Sequence, residues 1–164
     1  MSEQRRKSRR LKNYDYGQNG YYFVTVCTHK RRRILSEIVV GQGLAPAEVK
    51  LTDMGKIAEE QLLDLENRYK GIKIEKYVIM PNHIHAVIVI DNTAAGVSPC
   101  PTLSAVVGTF KSLATRICRQ NYEIDRVFQE SFYDHIIRNE KDFLAVYQYI
   151  ETNPLKWEND EYYT

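Results

Sequence analysis

Hydrophobic and polar positions follow two different periods along the chain, and the switches between them mark the elements. Residues 21–28, YYFVTVCT, are aromatic and β-branched, follow Gly20, and predict a first strand. A basic cluster, HKRRR, ends it. Residues 72–80, IKIEKYVIM, predict a second strand, and residues 83–91, HIHAVIVID, a third. Pro81-Asn82 joins these two as an antiparallel pair, because proline fixes φ and removes a ladder donor. The third strand is apolar on both faces beyond its histidines, as a central strand should be. A fourth is predicted over 132–137.

Helical spacing governs three other stretches. Residues 52–69 place Ile57, Leu62 and Leu65 at roughly helical intervals, with Thr52 or Asp53 as cap. Residues 102–120 predict a second helix capped by Thr102 or Ser104, and residues 139–152 a third, stopped by Asn153-Pro154. Residues 34–51 carry Gly41 and Gly43 and suggest a small hairpin or irregular arm; residues 92–101 read as a loop. The order β-α-β-β-α-β with one more C-terminal helix is that of an α+β, ferredoxin-like sheet.

With 164 residues, the chain is long enough for one domain with a substantial core and short for two. A net charge of +2 hides an uneven distribution: the first twelve residues hold six Lys or Arg against one Glu. A basic arm on a slightly acidic body suggests a polyanionic partner, although a solvated tail has the same composition. Cys27, Cys100 and Cys118 fit no disulfide or zinc framework, so a reducing, cytoplasmic setting is expected. No apolar stretch approaches the length needed to cross a bilayer, and no apolar segment follows the basic start, so neither a membrane nor a secretory signal is expected.

His83 and His85 open the third strand. Side chains alternate along a strand, so both imidazoles point to the same face, about 7 Å apart along the chain. Two neutral imidazoles can share one divalent ion, with carboxylate, amide or water completing the shell; two polar residues near a turn are the plainer alternative. Metallo-β-lactamase-type sites need an Asp-His pair just downstream, where this chain has AVIVID. Amidohydrolase-type sites need a barrel of about 250 residues. Two-histidine phosphoesterases need two His-x-Ser/Thr motifs, which His29 and His135 do not supply.

On the third helix, Phe143, Val146, Tyr147 and Ile150 form the apolar stripe. Tyr147 belongs to it. Tyr149 lies about 120° from the stripe centre, and Asn153 sits one turn further on the same side. A tyrosine and an amide not needed for packing could face a metal on the sheet; an exposed tyrosine, in a chain with twelve, is the simpler reading. A phenol is a plausible nucleophile at phosphorus once activated, and the resulting ester preserves the energy of the phosphodiester.

MPNHIHAVIVI, then FKSLATRI, then FQESFYDHIIRNEKDFLAVYQYIETNPLKW, in this order, resemble the REP-associated tyrosine transposases of the single-strand HUH-type superfamily. The resemblance runs from about Tyr21 to Trp157. It implies a ferredoxin-like core with the active site on the sheet, His83 and His85 as metal ligands, Tyr149 as nucleophile and Asn153 at the position of the third ligand. It further implies Mg²⁺ or Mn²⁺ as cofactor, and cleavage of single-stranded DNA beside hairpins formed by palindromic repeats, leaving a 5′-phosphotyrosine. The expected layout is a basic arm over 1–20, a catalytic domain over 21–157 with 34–51 as a variable insertion, and a tail over 158–164. The expected location is the cytoplasm, with the nucleoid, as monomer or homodimer.

Backbone phosphates require Lys or Arg. The candidates are Arg5, Arg6, Arg9, Arg10, Lys30, Arg31, Arg32, Arg33, then Lys111, Arg116 and Arg119 on the second helix, and Arg138 after the fourth strand. Tyr133 or Phe132 could stack on unpaired bases. His135 is left out of the ligand set as a structural histidine. The alternatives are a non-catalytic single-strand nucleic-acid binder on the same fold, and a nickase of the rolling-circle initiator or relaxase type.

Overall fold

The computed structural model describes residues 14–41, 43, 45–93 and 101–164. Arg5, Arg6, Arg9, Arg10 and Cys100 lie outside the described residues. In chain order the elements are β1 (Gly20–Cys27), β2 (Ser36–Val39), β3 (Glu48–Leu51), α1 (Asp53–Leu63), α2 (Leu65–Arg68), β4 (Ile72–Ile79), β5 (His83–Ile90), α3 (Leu103–Tyr122), β6 (Tyr133–Ile137) and α4 (Glu140–Thr152). Short 3-10 turns cover His29–Arg31 and Pro154–Asn159.

The main sheet runs β4-β5-β1-β6, and every neighbouring pair is antiparallel. This is the α+β, ferredoxin-like order that the alternating periods predict. β5 and β1 take the central positions because both their faces are apolar, and nearly every residue of β5 is buried. On one face Tyr22, Val24 and Val26 of β1 join Ile84, Ala86, Ile88 and Ile90 of β5 against Val106, Val107, Phe110 and Ala114 of α3 and Ala58 and Leu62 of α1. On the other face Phe23, Val87 and Ile137 meet Val146 and Ile150 of α4. Two helices therefore cover one side, and α4 covers part of the other.

The residue register decides what α4 faces. Thr25 pairs with His85 and Cys27 with His83, so both histidines share the α4 side of the sheet with Phe23. A bulge in β4 between Ile74 and Lys76 brings Lys76 and Val78 onto that side too, opposite Val87 and His85.

Caps set the helix starts. The Thr52 hydroxyl accepts from Gly55 N at 3.0 Å, Thr102 from Ala105 N at 3.2 Å, and the Asn139 amide oxygen from Asp142 N at 2.8 Å. One boundary departs from the sequence pattern. The helix predicted over 52–69 is two pieces meeting at Asp64, whose carboxylate is engaged locally by Arg68 at 2.6 Å and Asn67 at 3.2 Å. The α-helix α4 ends at Thr152, as Asn153-Pro154 predicts, and Asn153, at φ −57° and ψ −43°, leads into the 3-10 turn.

The arm over 34–51 is a two-stranded hairpin of β2 and β3. Its base is tied to the β4–β5 turn: Leu35 N donates to Pro81 O at 3.0 Å and Ser36 Oγ to Ile79 O at 2.8 Å. Gly55 lets α1 approach this base. A Cβ there would meet the Leu35 carbonyl oxygen at 1.9 Å. Gly55→Ala is expected to lower the unfolding free energy by about 1–3 kcal/mol, seen as a lower urea midpoint at unchanged m. A midpoint equal to that of the unmodified chain would show that this contact relaxes freely.

Candidate metal and tyrosine site

The Pro81-Asn82 turn delivers His83 to the first position of β5, and the strand carries His85 two residues on. Their rings lie 4.5 Å apart and are 0% and 1% exposed. Each is fixed through its Nδ1. Asn82 is itself 1% exposed, and its amide nitrogen donates to the Tyr162 carbonyl at 2.8 Å. That fixes the amide orientation, so Asn82 Oδ1 faces His83 Nδ1 at 2.8 Å and accepts its proton. The Nε2 lone pair of His83 is then free to bind a cation. His85 Nδ1 bonds the Thr25 hydroxyl at 2.8 Å.

The outward nitrogens are bare. His83 Nε2, His85 Nε2 and Asn153 Oδ1 are buried without a hydrogen-bond partner, three of the four such side-chain atoms among the described residues. Native interiors leave few buried polar atoms unpaired. Asn153 is 2% exposed, and its amide nitrogen donates to Asp160 Oδ2 at 2.5 Å. One ligand atom each of His83, His85 and Asp160 lie within 4.8 Å of one another. Burial lowers the His83 pKa to about 4, Arg31 adds to that shift, and Asp160 and Asn153 oppose it. Burial, followed by the neighbouring His83, holds His85 well below the usual range. Both rings are therefore neutral at pH 7. Two neutral imidazoles, a carboxylate and an amide oxygen fit a small divalent cation.

Tyr149 comes from α4, as its displacement from the apolar stripe predicts. Its ring meets the edge of His85 at 5.1 Å and of Phe23 at 6.0 Å, and it stays 39% exposed to the cleft. Burial, and then the charges of Asp160 and Glu161, push its phenol up to about 12. Tyr147 takes the other role: it is half-buried, with the Lys76 ammonium 3.6 Å from its ring centroid. A cleft of about 860 Å³ opens beside Tyr149 and His85, with Thr25, Phe132 and Tyr133 on its walls.

The sequence reading missed Asp160 and Tyr162, which lie in the stretch read as a tail. Tyr162 is 8% exposed, and its ring sits 4.5 Å from that of His83. Burial raises its phenol strongly. No local period marks either residue. The density of acidic and aromatic residues in ENDEYY is the one signal that sets this stretch apart from a solvated end.

The candidate phosphate contacts divide into groups. Lys30 is exposed, and Arg31 lines the cleft. Arg32 donates to the carbonyls of Arg126 and His29. Arg33 lies over Trp157 at 5.4 Å and Tyr163 at 4.5 Å and donates to the Thr164 carbonyl. Arg32 and Arg33 thus anchor neighbouring segments. Lys111, Arg116 and Arg119 line a second cleft of about 380 Å³, which shares Gln129 with the first. Arg138 is exposed at the start of the turn into α4, and His135 Nε2 lies 2.8 Å from Asp142, away from the histidine pair.

No family model matches the chain. It is 33% identical over 173 residues to an uncharacterized protein of Haemophilus influenzae, covering 96% of this chain and 93% of that one. Among solved structures, a REP-associated tyrosine transposase bound to a REP hairpin superposes with a TM-score of 0.65 at 20% identity, over 90% of this chain and 73% of that one. A candidate transposase of Deinococcus radiodurans gives a TM-score of 0.50 at 15% identity, over 87% and 95%. The chain therefore has the fold of the REP-associated tyrosine transposases, with a buried histidine pair facing a helix tyrosine. It belongs to one family with the Haemophilus influenzae protein.

Asn82 orients His83 from its Nδ1 side, the ring edge opposite the bare Nε2. Asn82→Ala is expected to weaken Mn²⁺ binding by about 10–100-fold in calorimetry of the metal-stripped protein. Unchanged affinity would mean that Asn82 does not position the ring.

Proposed function

We propose that the chain nicks single-stranded DNA and transfers strands at hairpin-forming palindromic repeats, in the manner of the REP-associated tyrosine transposases. Tyr149 is the nucleophile; His83, His85 and Asn153, together with Asp160, hold Mg²⁺ or Mn²⁺. The observation that carries this reading is the convergence of three bare, buried donor atoms beside one partly exposed phenol.

A divalent ion in that cradle supplies Lewis-acid polarisation of the scissile phosphate. The protein does the rest. His83 and His85 arrive neutral and oriented, so no proton has to leave before the ion is bound. Tyr149 Oη attacks phosphorus; the Oη–P bond forms as the P–O3′ bond breaks. The phenol proton passes to water in the open cleft, and the departing 3′ oxygen takes up a proton from water. The products are a 5′-phosphotyrosine and a free 3′-hydroxyl, which can later reverse the step because the ester retains the bond energy. With its pKa raised to about 12, the resting phenol is protonated and inert, so reaction awaits positive charge in the cleft.

The exposed Tyr133 and the half-buried Phe132 offer faces for unpaired bases beside the reacting phosphate. Lys30, Lys111, Arg116, Arg119 and Arg138 carry backbone phosphates, and Arg5, Arg6, Arg9 and Arg10 extend that footprint. The working form is a monomer or homodimer. No helix among the described residues is long and apolar enough to cross a membrane, and the proposed location is the nucleoid.

The test is incubation with hairpin-bearing single-stranded DNA and Mn²⁺ or Mg²⁺, followed by denaturing electrophoresis. A protein–DNA adduct is expected, lost with Tyr149→Phe and with a chelator. An adduct that persists in Tyr149→Phe would assign the nucleophile elsewhere, with Tyr162 the first to examine. Tight hairpin binding with no adduct under either metal would favour the non-catalytic binder.

A further inference from the structure

The cleft beside Tyr149 is acidic at the place where a phosphate must enter. Asp134 and Glu161 line it, and Asp160 and Glu161 are close enough to disfavour a phenolate on Tyr149. Against these stands a single cationic side chain. Of the described residues lining this cleft, Arg31 is the one Lys or Arg.

The backbone is shaped to put it there. Lys30 has φ 55° and Arg31 φ 53°, two successive residues in the left-handed region that side chains other than glycine normally avoid. One long-range and two local hydrogen bonds hold this turn closed. His29 N donates to Val127 O at 2.8 Å and Arg31 N to Thr28 O at 3.0 Å, while the Thr28 hydroxyl bonds Arg32 O at 2.8 Å. A strained turn persists where its surroundings over-determine it, and such turns gather at functional sites.

The guanidinium itself is pre-positioned and mostly unspent. It lies 5.2 Å from the centre of the Tyr162 ring, and Nη1 donates to the Glu161 carbonyl across a long 3.3 Å. A guanidinium has five N–H donors in a fixed fork that matches two oxygens of a phosphate.

We propose that Arg31 is a catalytic residue whose guanidinium donates to the non-bridging oxygens of the phosphate attacked by Tyr149. This rests on the transfer reaction above. As the Oη–P bond forms and the P–O3′ bond breaks, negative charge collects on those oxygens, and a donor fixed in advance stabilises it without reorganising. Tyr162 is the platform: its ring supports the guanidinium, which gives the C-terminal segment a positioning role in the reaction.

The experiment measures single-turnover adduct formation on saturating hairpin DNA with Mn²⁺, alongside Mn²⁺ affinity by calorimetry. Arg31→Ala is expected to slow adduct formation by about 10²–10³-fold while Mn²⁺ affinity stays within about twofold. Arg31→Lys, which keeps the charge and loses the fork, should fall between. Added guanidinium should restore part of the Arg31→Ala rate, which a purely structural role would not allow. His29→Ala alters a neighbouring side chain of the same turn, one with no part in the site or the DNA footprint, and should react at the unmodified rate. An Arg31→Ala protein reacting at full rate overturns the proposal alone. So does a slowing shared equally by His29→Ala, or one that tracks a loss of Mn²⁺ affinity. An unmodified chain that forms no adduct overturns the parent reading and this one with it.

Discussion

His83 and His85 are held on the buried face of β5 with Nδ1 bonded and Nε2 bare. Each buried polar atom left without a partner costs about 1–3 kcal/mol, and here the Asn153 carbonyl oxygen adds a third beside them. Among the described residues nearly every other buried polar side-chain atom is satisfied, and these three lie together, two from β5 and one from the end of α4. Such a cost is tolerable when a cation supplies the missing partner. The ferredoxin-like sheet matters here because its central strand gives the imidazoles a rigid, dry base, and the antiparallel register sets Thr25 of β1 against His85.

The site is closed by residues far from that strand in sequence. Asn82 joins the β4–β5 turn to the C-terminal segment through Tyr162, while Asn153 joins the end of α4 to the same segment through Asp160. The segment beyond Trp157 is thus continuous with the histidine pair and with Arg31. Arg33, lying over both Trp157 and Tyr163, ties the β1 side of the cleft to it as well. These last residues pack on the histidines or on their neighbours, although none lies in the motif that first draws attention.

What was legible in the sequence was what repeats locally. Runs of aromatic and β-branched residues exposed β1 and β5, and the placement of both histidines on one face follows from the alternation of side chains along a strand. Helical spacing separated Tyr147, which packs with Phe143 and Lys76, from Tyr149, which turns toward His85. The resemblance to REP-associated transposases assigned roles to Tyr149 and Asn153 that spacing left open. What escaped depends on distant contacts. Asn82 is 80 residues from Tyr162, and as a sequence position it is merely a turn residue after proline. Asp160 and Tyr162 follow no period. The basic cluster after β1 looks uniform as text, yet Arg31 reaches the cleft while Arg32 and Arg33 anchor neighbouring segments, a division set by two left-handed residues that composition does not reveal.

The account stands on one divalent ion bound by both imidazoles. The direct measurement is pulsed paramagnetic resonance of the Mn²⁺-loaded protein, which detects nitrogen nuclei coupled to the ion. Couplings from two imidazole nitrogens are expected, falling to one in His83→Gln and in His85→Gln. Bound Mn²⁺ with no imidazole coupling, or couplings unchanged in both variants, would contradict it.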